Sequence, residues 1–266
     1  MPFIENDSIK LYFEEEGHGQ AVILVNDMLE DHLFWDKIKS GLSKNFRVIV
    51  FDQRGMGKSS VPKAAFKVED IAKDLIAIAD HLNLDQFHLV GDSMGGAITQ
   101  VVARKYPKRV DKMVLLNSYT HLTQVIEWSL EMMIDLFQET PKYEYLYKMM
   151  MPWYYSSRFL EREDDAKQIL EQLKKRKNPL KVEGFKKLVE AAIDFNSSNI
   201  IKHIKAETLV VIAEEDIYCL FKDSRQMIRS LENHKVELMS GGHASKMEHP
   251  NRIIEVIRDF CLKSDQ

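Results

Sequence analysis

The chain has 266 residues, enough for one large domain or two small ones, and 45% of them are hydrophobic, which allows a sizeable core. Its formal net charge of −4, with acidic and basic residues interspersed, argues against nucleic acid or an anionic membrane as a partner. There are two distant cysteines, no secretory signal pattern and no apolar stretch near the roughly 20 residues that span a bilayer. These features predict a cytoplasmic protein without disulfides or membrane segments.

In chain order, short apolar strands alternate with amphipathic helices. A hairpin over residues 2–17 comes first, and continuous apolar runs then predict strands buried on both faces. Leucines and isoleucines at helical spacing predict helices between these strands. This alternation indicates an α/β fold with a mostly parallel, doubly wound sheet. The predicted strands are 21–25, 47–51, 87–90, 112–117, 208–213 and 235–239, and the predicted helices are 33–42, 71–82, 97–103 and 253–261.

The alternation stops between residues 120 and 198, where helical segments rich in methionine and aromatic residues replace the strands. We interpret residues 120–198 as a helical cap inserted into a core domain of residues 1–119 and 199–266. Packing explains most of these side chains, but flexible methionines beside rigid aromatic rings also suit a pocket for an apolar small molecule. The candidate pocket residues are Asn26, Trp128, Met132, Met150 and Trp153.

One strand-to-helix transition carries a distinctive pattern of small residues. Gly91-Asp92-Ser93-Met94-Gly95 follows the strand at 87–90 and leads directly into a helix, which is the nucleophile-elbow pattern. A strand that turns at once into a helix strains the serine backbone, and side chains two residues before and after the serine would collide. An ordinary glycine-rich turn can give these five residues by chance. The residues that follow other strands favour a nucleophile.

Two of those strand ends supply the partners that a serine nucleophile needs. Asp216 follows the strand at 208–213, and His243 follows the last strand after a Gly-Gly pair. Functional groups gather at the carboxyl ends of strands in open α/β sheets, and the order Ser, acid, His is expected on this scaffold. The histidine can take the serine proton while the carboxylate orients the imidazole. Glu214 and Glu215 flank Asp216 and stay open as alternative acids.

Acyl transfer also needs N–H groups that hold the developing oxyanion. We predict that these are the backbone N–H groups of Met94, directly after the nucleophile, and of Met28, after the strand at 21–25. Gly57-Lys58-Ser59 mimics the end of a phosphate-binding loop, but Asp52 stands where that motif requires its first glycine. Clusters of His, Cys and carboxylate residues with metal-ligand spacing are also missing from the sequence. We therefore expect no nucleotide, metal or other cofactor.

Taken together, these motifs resemble the α/β-hydrolase superfamily over nearly the whole chain. The resemblance is carried by the elbow, by Asp52-x-Arg54-Gly55-x-Gly57-x-Ser59, and by Gly242-His243 followed by Glu248-x-Pro250. It implies the α/β-hydrolase fold, a helical cap and a catalytic triad of the serine, aspartate and histidine named above.

Within the superfamily, the chain is most similar to 3-oxoadipate enol-lactonases and small carboxylesterases. Asn26 stands where most members carry the histidine of a His-Gly pair, and its spacing to Trp35 also matches. The ending His243-x-Ser245-x-x-Glu248-x-Pro250 resembles that of the lactonases. Asp27 departs from the pattern, because it replaces a small residue beside the predicted oxyanion loop.

The expected function is a serine hydrolase that cleaves a small carboxylic ester or lactone through an acyl-enzyme, working as a monomer or homodimer. A C–C bond hydrolase or a thioesterase would use the same triad, because fold and triad do not fix the reaction. A signalling module that binds a small molecule in the pocket is the alternative from another class.

Overall fold

A computed structural model describes residues 2–139, 143–174, 176 and 180–263. Its strands are β1 (Phe3–Asn6), β2 (Ile9–Glu16), β3 (Ala21–Val25), β4 (Arg47–Phe51), β5 (Phe87–Asp92), β6 (Val110–Leu116), β7 (Glu207–Ala213) and β8 (His234–Met239). They form one eight-stranded sheet in the order β1, β2, β4, β3, β5, β6, β7, β8. β2 pairs antiparallel with β1 and β4, and every other neighbouring pair is parallel. The predicted α/β fold with a mostly parallel sheet is confirmed.

Helices alternate with the parallel strands, except between β6 and β7, where five helices follow one another. The α-helices are α1 (Asp36–Leu42), α2 (Val68–His81), α3 (Met94–Lys105), α4 (Gln124–Glu139), α5 (Tyr143–Tyr154), α6 (Ser157–Leu160), α7 (Glu163–Lys174), α8 (Val182–Asp194), α9 (Phe221–Ser230), α10 (Ser245–Glu248) and α11 (Pro250–Leu262). Short 3₁₀ helices span His32–Trp35 and Ile201–His203. In the described ranges, no helix combines the length and apolar content needed to cross a bilayer.

The five helices α4 to α8 occupy the segment predicted as a cap. α4 contacts α5, α7 contacts both α5 and α6, α5 contacts α6, and α4 also packs on α8. The boundaries of a separate cap domain stay a prediction. Parts of the two predicted domains lie outside the described residues, namely 1, 140–142, 175, 177–179 and 264–266.

The sheet separates two hydrophobic layers, and β3 shows why its sequence is apolar throughout. Ala21, Ile23 and Val25 face the layer formed by α2, α3 and part of the cap. Val22 and Leu24 face the opposite layer, formed by α1 and α11. All five side chains are buried because successive residues of a strand point to opposite faces and both faces are covered.

The loop at residues 52–59, which mimics part of a phosphate-binding motif, has a structural role: it is closed by a hydrogen bond and packs against α8. The Asp52 carboxylate accepts a hydrogen bond from the Lys58 N–H at 2.8 Å, which closes the loop on itself. Gly55 has a φ of +91° and lies against Gly184 of α8. A Cβ atom on Gly184 would come within 2.0 Å of the Gly55 carbonyl oxygen. The two glycines therefore let α8 pack directly against this loop.

The sequence prediction missed α9, which carries few apolar residues. The side chain of Met227 is buried, whereas Phe221 is 49% exposed. Its apolar residues share one face, but only Phe221, Met227 and Ile228 are large and apolar, so its low apolar content hides it in the sequence.

Candidate active site

Ser93 lies at the corner between β5 and α3, with φ 50° and ψ −114°. This is the strained backbone that the elbow pattern predicts. A Cβ atom on Gly91 would lie 2.4 Å from the Gly95 carbonyl oxygen, and one on Gly95 would lie 2.2 Å from the Val25 carbonyl oxygen. Side chains larger than hydrogen at these two positions would therefore force the corner apart.

The structure brings the three predicted triad residues together. His243 Nε2 lies 2.9 Å from Ser93 Oγ, and His243 Nδ1 lies 2.9 Å from Asp216 Oδ2. The three residues follow β5, β7 and β8, and each is at most 4% exposed. A hydroxyl, an imidazole and a carboxylate in this order can pass a proton from serine to histidine while the carboxylate fixes the ring.

Backbone hydrogen bonds hold Asp216 in position. Its Oδ1 accepts hydrogen bonds from the N–H groups of Tyr218 and Cys219, both at 2.8 Å, which leaves Oδ2 to face the imidazole. Both flanking glutamates are exposed. Asp216 is therefore the acid that meets His243.

The charge of Asp216 controls the protonation of His243. Burial alone would lower the pKa of His243, but the Asp216 carboxylate beside it raises that pKa well above the ordinary 6.5. The imidazole therefore binds a proton more tightly than a free histidine does, which suits a group that must hold the serine proton during catalysis.

Cys219 places a third possible metal ligand beside this pair. Ligand atoms of Asp216, Cys219 and His243 lie within 4.8 Å of one another, a cluster that sequence spacing did not predict. Burial raises the pKa of the Cys219 thiol to about 12, so the sulfur stays protonated near neutral pH. A metal would need the thiolate and would take His243 from its hydrogen bond with Asp216, so metal binding and the triad exclude each other here.

Asn117 is a site residue that the sequence interpretation missed, because an amide at the end of β6 cannot serve as the triad acid. Its side-chain Nδ2 donates hydrogen bonds to the His243 carbonyl oxygen and to Ser245 Oγ, both at 2.8 Å. Its Oδ1 accepts a hydrogen bond from the Ala213 N–H at 3.0 Å. Asn117 thus ties the end of β6 to the loops that carry Asp216 and His243. A polar residue at a third strand end was the only signal in the sequence.

The two predicted oxyanion donors lie on the loops that flank the nucleophile. Met94 is the first residue of α3, and the N–H of a first helical residue has no partner within its helix. Met28 is buried in the loop after β3. Gln53 Nε2 donates a hydrogen bond to the Asn26 carbonyl oxygen at 2.6 Å, and Asn26 Nδ2 donates one to the Phe51 carbonyl oxygen at 2.9 Å. These bonds fix that loop, while the oxyanion role of its N–H stays a prediction.

A buried ionic cluster of Lys246, Glu30 and Asp92 lies between the nucleophile elbow and the loop after β3. The Lys246 ammonium contacts both carboxylates and lies 4.8 Å from the centre of the Trp35 ring. Burial alone would lower the pKa of Lys246, but Asp92 and Glu30 raise it. Burial raises the pKa of Glu30 to about 7. Because Asp92 directly precedes Ser93, the cluster links the nucleophile elbow to the loop after β3.

Aromatic side chains close the site over His243. The Tyr154 ring, at the end of α5, meets the imidazole edge-on at 5.3 Å, and the Tyr218 ring lies 5.0 Å from it. Trp153 packs against Tyr218 at 6.4 Å. Ser93 and His243 are each 2% exposed, so the reacting atoms are sealed from solvent in this conformation.

A small cavity of about 50 Å³ lies between the helices α5 and α7 and the loops after β3 and β8. It reaches the site through Tyr154, whose ring meets His243, and through Ala244, which follows His243. Met150, one of the predicted pocket residues, lines it. Most of the remaining wall is apolar. It is formed by Leu29, Glu30, Phe34, Tyr147, Met151, Tyr154, Tyr155, Leu173, Arg176, Leu180 and Ala244.

Two of the predicted pocket residues lie on an exposed face of α4 in this conformation. Trp128 is 64% exposed and Met132 is 52% exposed. Helix α4 buries Ile126 and Leu130, and residues two positions further along fall on the opposite face of a helix. The richness of this segment in aromatic residues and methionine therefore does not specify which face of α4 turns inward.

Comparisons with known proteins agree with this architecture. The sequence model of the α/β hydrolase fold family matches residues 20–250. The RutD protein of Pantoea ananatis, named for carbamate hydrolysis, is 25% identical over 257 residues, covering 96% of this chain and 92% of that relative. The 3-oxoadipate enol-lactonase 2 of Acinetobacter baylyi is 23% identical over 240 residues, covering 89% of this chain and 88% of that relative.

Solved structures give the same result at the level of the fold. The crystal structure of the enol-lactonase from Burkholderia xenovorans matches with a TM-score of 0.89 at 20% identity, covering 98% of this chain and 100% of that one. This chain therefore belongs to the α/β hydrolase family, as the resemblance of its motifs predicted.

Proposed function

We propose that this protein is a serine hydrolase that cleaves small carboxylic esters or lactones through an acyl-enzyme. The observation that carries the proposal is the continuous hydrogen-bonded path from Ser93 Oγ through His243 to Asp216, with both links at 2.9 Å. A serine hydroxyl is a weak nucleophile until a base takes its proton, and this path supplies the base together with its orienting carboxylate.

The reaction follows from these positions. His243 Nε2 takes the proton of Ser93 as Oγ attacks the substrate carbonyl, and the carbonyl oxygen becomes an oxyanion facing the N–H groups of Met28 and Met94. The tetrahedral intermediate expels the alcohol, which receives the proton from His243. A water molecule then attacks the acyl-enzyme with His243 again as base. It releases the acid and restores the Ser93 hydroxyl.

The apolar lining of the cavity and the relatives support the substrate class. The cavity next to Tyr154 and Ala244 has mostly apolar walls, which suit an apolar acyl or alcohol group. The relatives are named for acting on a lactone and a carbamate, which both present a carbonyl bonded to oxygen. Because Ser93 is 2% exposed, a substrate reaches its hydroxyl only after cap side chains such as Tyr154 move aside.

A panel of substrates tests this proposal. Initial rates are measured for a short ethyl ester, a five-membered lactone, an acyl thioester and a vinylogous diketone, with the Ser93→Ala variant as background. The ester or the lactone is expected to give the highest Ser93-dependent kcat/KM. A diketone or thioester preference would assign the C–C or thioester alternative. Tight retention of a small molecule without turnover would assign the signalling module instead.

The protonation of His243 predicts how activity depends on pH. A protonated imidazole cannot accept the Ser93 proton, so kcat/KM is expected to rise with pH through an ionisation well above 6.5. Steady-state rates between pH 5 and pH 10 measure this profile. Asp216→Asn is expected to shift the ionisation to lower pH as well as to slow the reaction, because the carboxylate that raises the pKa of His243 is gone. A rate that stays flat or falls over this range would contradict His243 as the base.

A further inference from the structure

Asp27 is a buried carboxylate that neither the fold nor the proposed reaction explains. It lies between Asn26 and Met28 on the loop after β3, and it is 2% exposed. The Tyr154 hydroxyl donates a long hydrogen bond of 3.4 Å to Asp27 Oδ2, while Oδ1 has no hydrogen-bond partner among the described residues. A buried carboxylate in this state costs folding free energy unless something compensates its charge.

The buried cations of the site are engaged by other carboxylates. Lys246 pairs with Glu30 and Asp92, and His243 pairs with Asp216. Among the described residues of the site, the buried carboxylates therefore outnumber the buried cations, and Asp27 has no cation of its own. A positive charge brought by a ligand would restore the balance.

Two buried tyrosine hydroxyls also have no hydrogen-bond partner within the described ranges. Tyr119 and Tyr218 are 5% and 6% exposed, and the hydroxyl oxygen of each is buried. Burial, and after it the charge of Asp27, raises the pKa of both phenols. The Tyr218 ring also lies 5.3 Å from the Tyr154 ring. The Asp27 carboxylate and the phenols of Tyr154 and Tyr218 thus lie together beside His243.

We infer that Asp27, Tyr154 and Tyr218 form a subsite for a positively charged amine on the substrate, an inference that rests on the proposed hydrolase function. An ammonium group can donate hydrogen bonds to the carboxylate and the phenol oxygens, and aromatic faces attract cations. The charge of Asp27 would otherwise oppose the oxyanion that forms beside the neighbouring Met28 N–H. A substrate ammonium removes this repulsion, so it favours the transition state as well as binding.

Two esters of the same length test the inference. Ethyl 3-aminopropanoate carries an ammonium group where ethyl butanoate carries a methyl group, and proton release measures the hydrolysis of each at pH 7. The wild type is expected to prefer the ammonium ester in kcat/KM by at least about tenfold. Asp27→Asn is expected to lower this ratio by about tenfold or more, because it slows the ammonium ester and speeds the neutral one. Asp135→Asn, the same change at an exposed position of α4, is the control and should preserve the ratio.

The outcomes separate this inference from the proposed function. If Ser93-dependent hydrolysis occurs but the ratio is the same in Asp27→Asn, the amine subsite is overturned and the hydrolase stands. If neither ester is hydrolysed in a Ser93-dependent way, the proposed hydrolysis of small esters is overturned. Calorimetry then measures how tightly the ammonium ester binds to Ser93→Ala and to the double variant Ser93→Ala, Asp27→Asn. About tenfold tighter binding of the ammonium ester when Asp27 is present supports the inference, and equal binding overturns it.

Discussion

Replacing Ser93 with alanine is expected to lower kcat/KM for a small ester by at least about a thousandfold and to leave the fold intact. The change removes the one atom that attacks the carbonyl, while the strained corner and its flanking glycines stay in place. His243 would then have no hydroxyl to activate. Residual hydrolysis would come only from substrate binding and the oxyanion donors acting on water. Initial rates measure the loss, and circular dichroism with thermal unfolding checks the fold.

A matched serine provides the control for this experiment. Ser40 lies on α1 and is exposed, so Ser40→Ala makes the same chemical change far from the triad. Its kcat/KM is expected to equal that of the wild type. A Ser93→Ala protein that keeps more than about a tenth of the activity would show that Ser93 is not the nucleophile.

The second large effect is expected from Lys246→Met, which removes the cation of the buried ionic cluster. Methionine keeps much of the side-chain length but leaves the carboxylates of Glu30 and Asp92 buried without their counter-charge. Removing one partner of such a pair typically costs about 3–5 kcal/mol in free energy of unfolding. Urea denaturation at pH 8 measures this loss. Lys222→Met on α9, where the lysine is exposed, is the control and should leave the free energy of unfolding nearly unchanged.

The free energy of unfolding that Lys246→Met loses is expected to depend on pH, because Glu30 of the same cluster titrates. Burial raises the folded-state pKa of Glu30 from 4.5 to about 7, so its protonated form favours the folded state. The stability from this group is therefore present below pH 4.5 and lost as the pH rises towards about 7. In Lys246→Met the loss is expected to be smaller at pH 5 than at pH 8, because protonation removes the unpaired charge. Equal unfolding free energies for the variant and the wild type at pH 8 would contradict the role of the cluster.

The parts of the site that the sequence predicted are those with a local signal. Ser93 stands between glycines at a strand end, and His243 follows a Gly-Gly pair after the last strand, so each carries its context within a few residues. Asp216 required a choice among three neighbouring acids, and it is the one whose carboxylate faces inward. Strand alternation predicted the sheet because both of its faces are covered.

The parts that the sequence did not predict depend on pairs that are distant along the chain. Lys246 contacts Glu30, which is 216 residues away in the sequence, and Asp92, which is 154 residues away. No sequence pattern near these residues predicts the contacts. The exposure of Trp128 and Met132 has a related reason, because composition does not specify which face of α4 turns inward. That face depends on how the cap rests on the core.

The most direct test of the central claim, that Ser93, His243 and Asp216 act as one catalytic unit, is labelling with a fluorophosphonate followed by mass spectrometry of the digested protein. The wild type is expected to carry one label per chain, on Ser93, and His243→Ala is expected to label at least about a hundredfold more slowly. Labelling on another residue, or an equal labelling rate in His243→Ala, would contradict the claim.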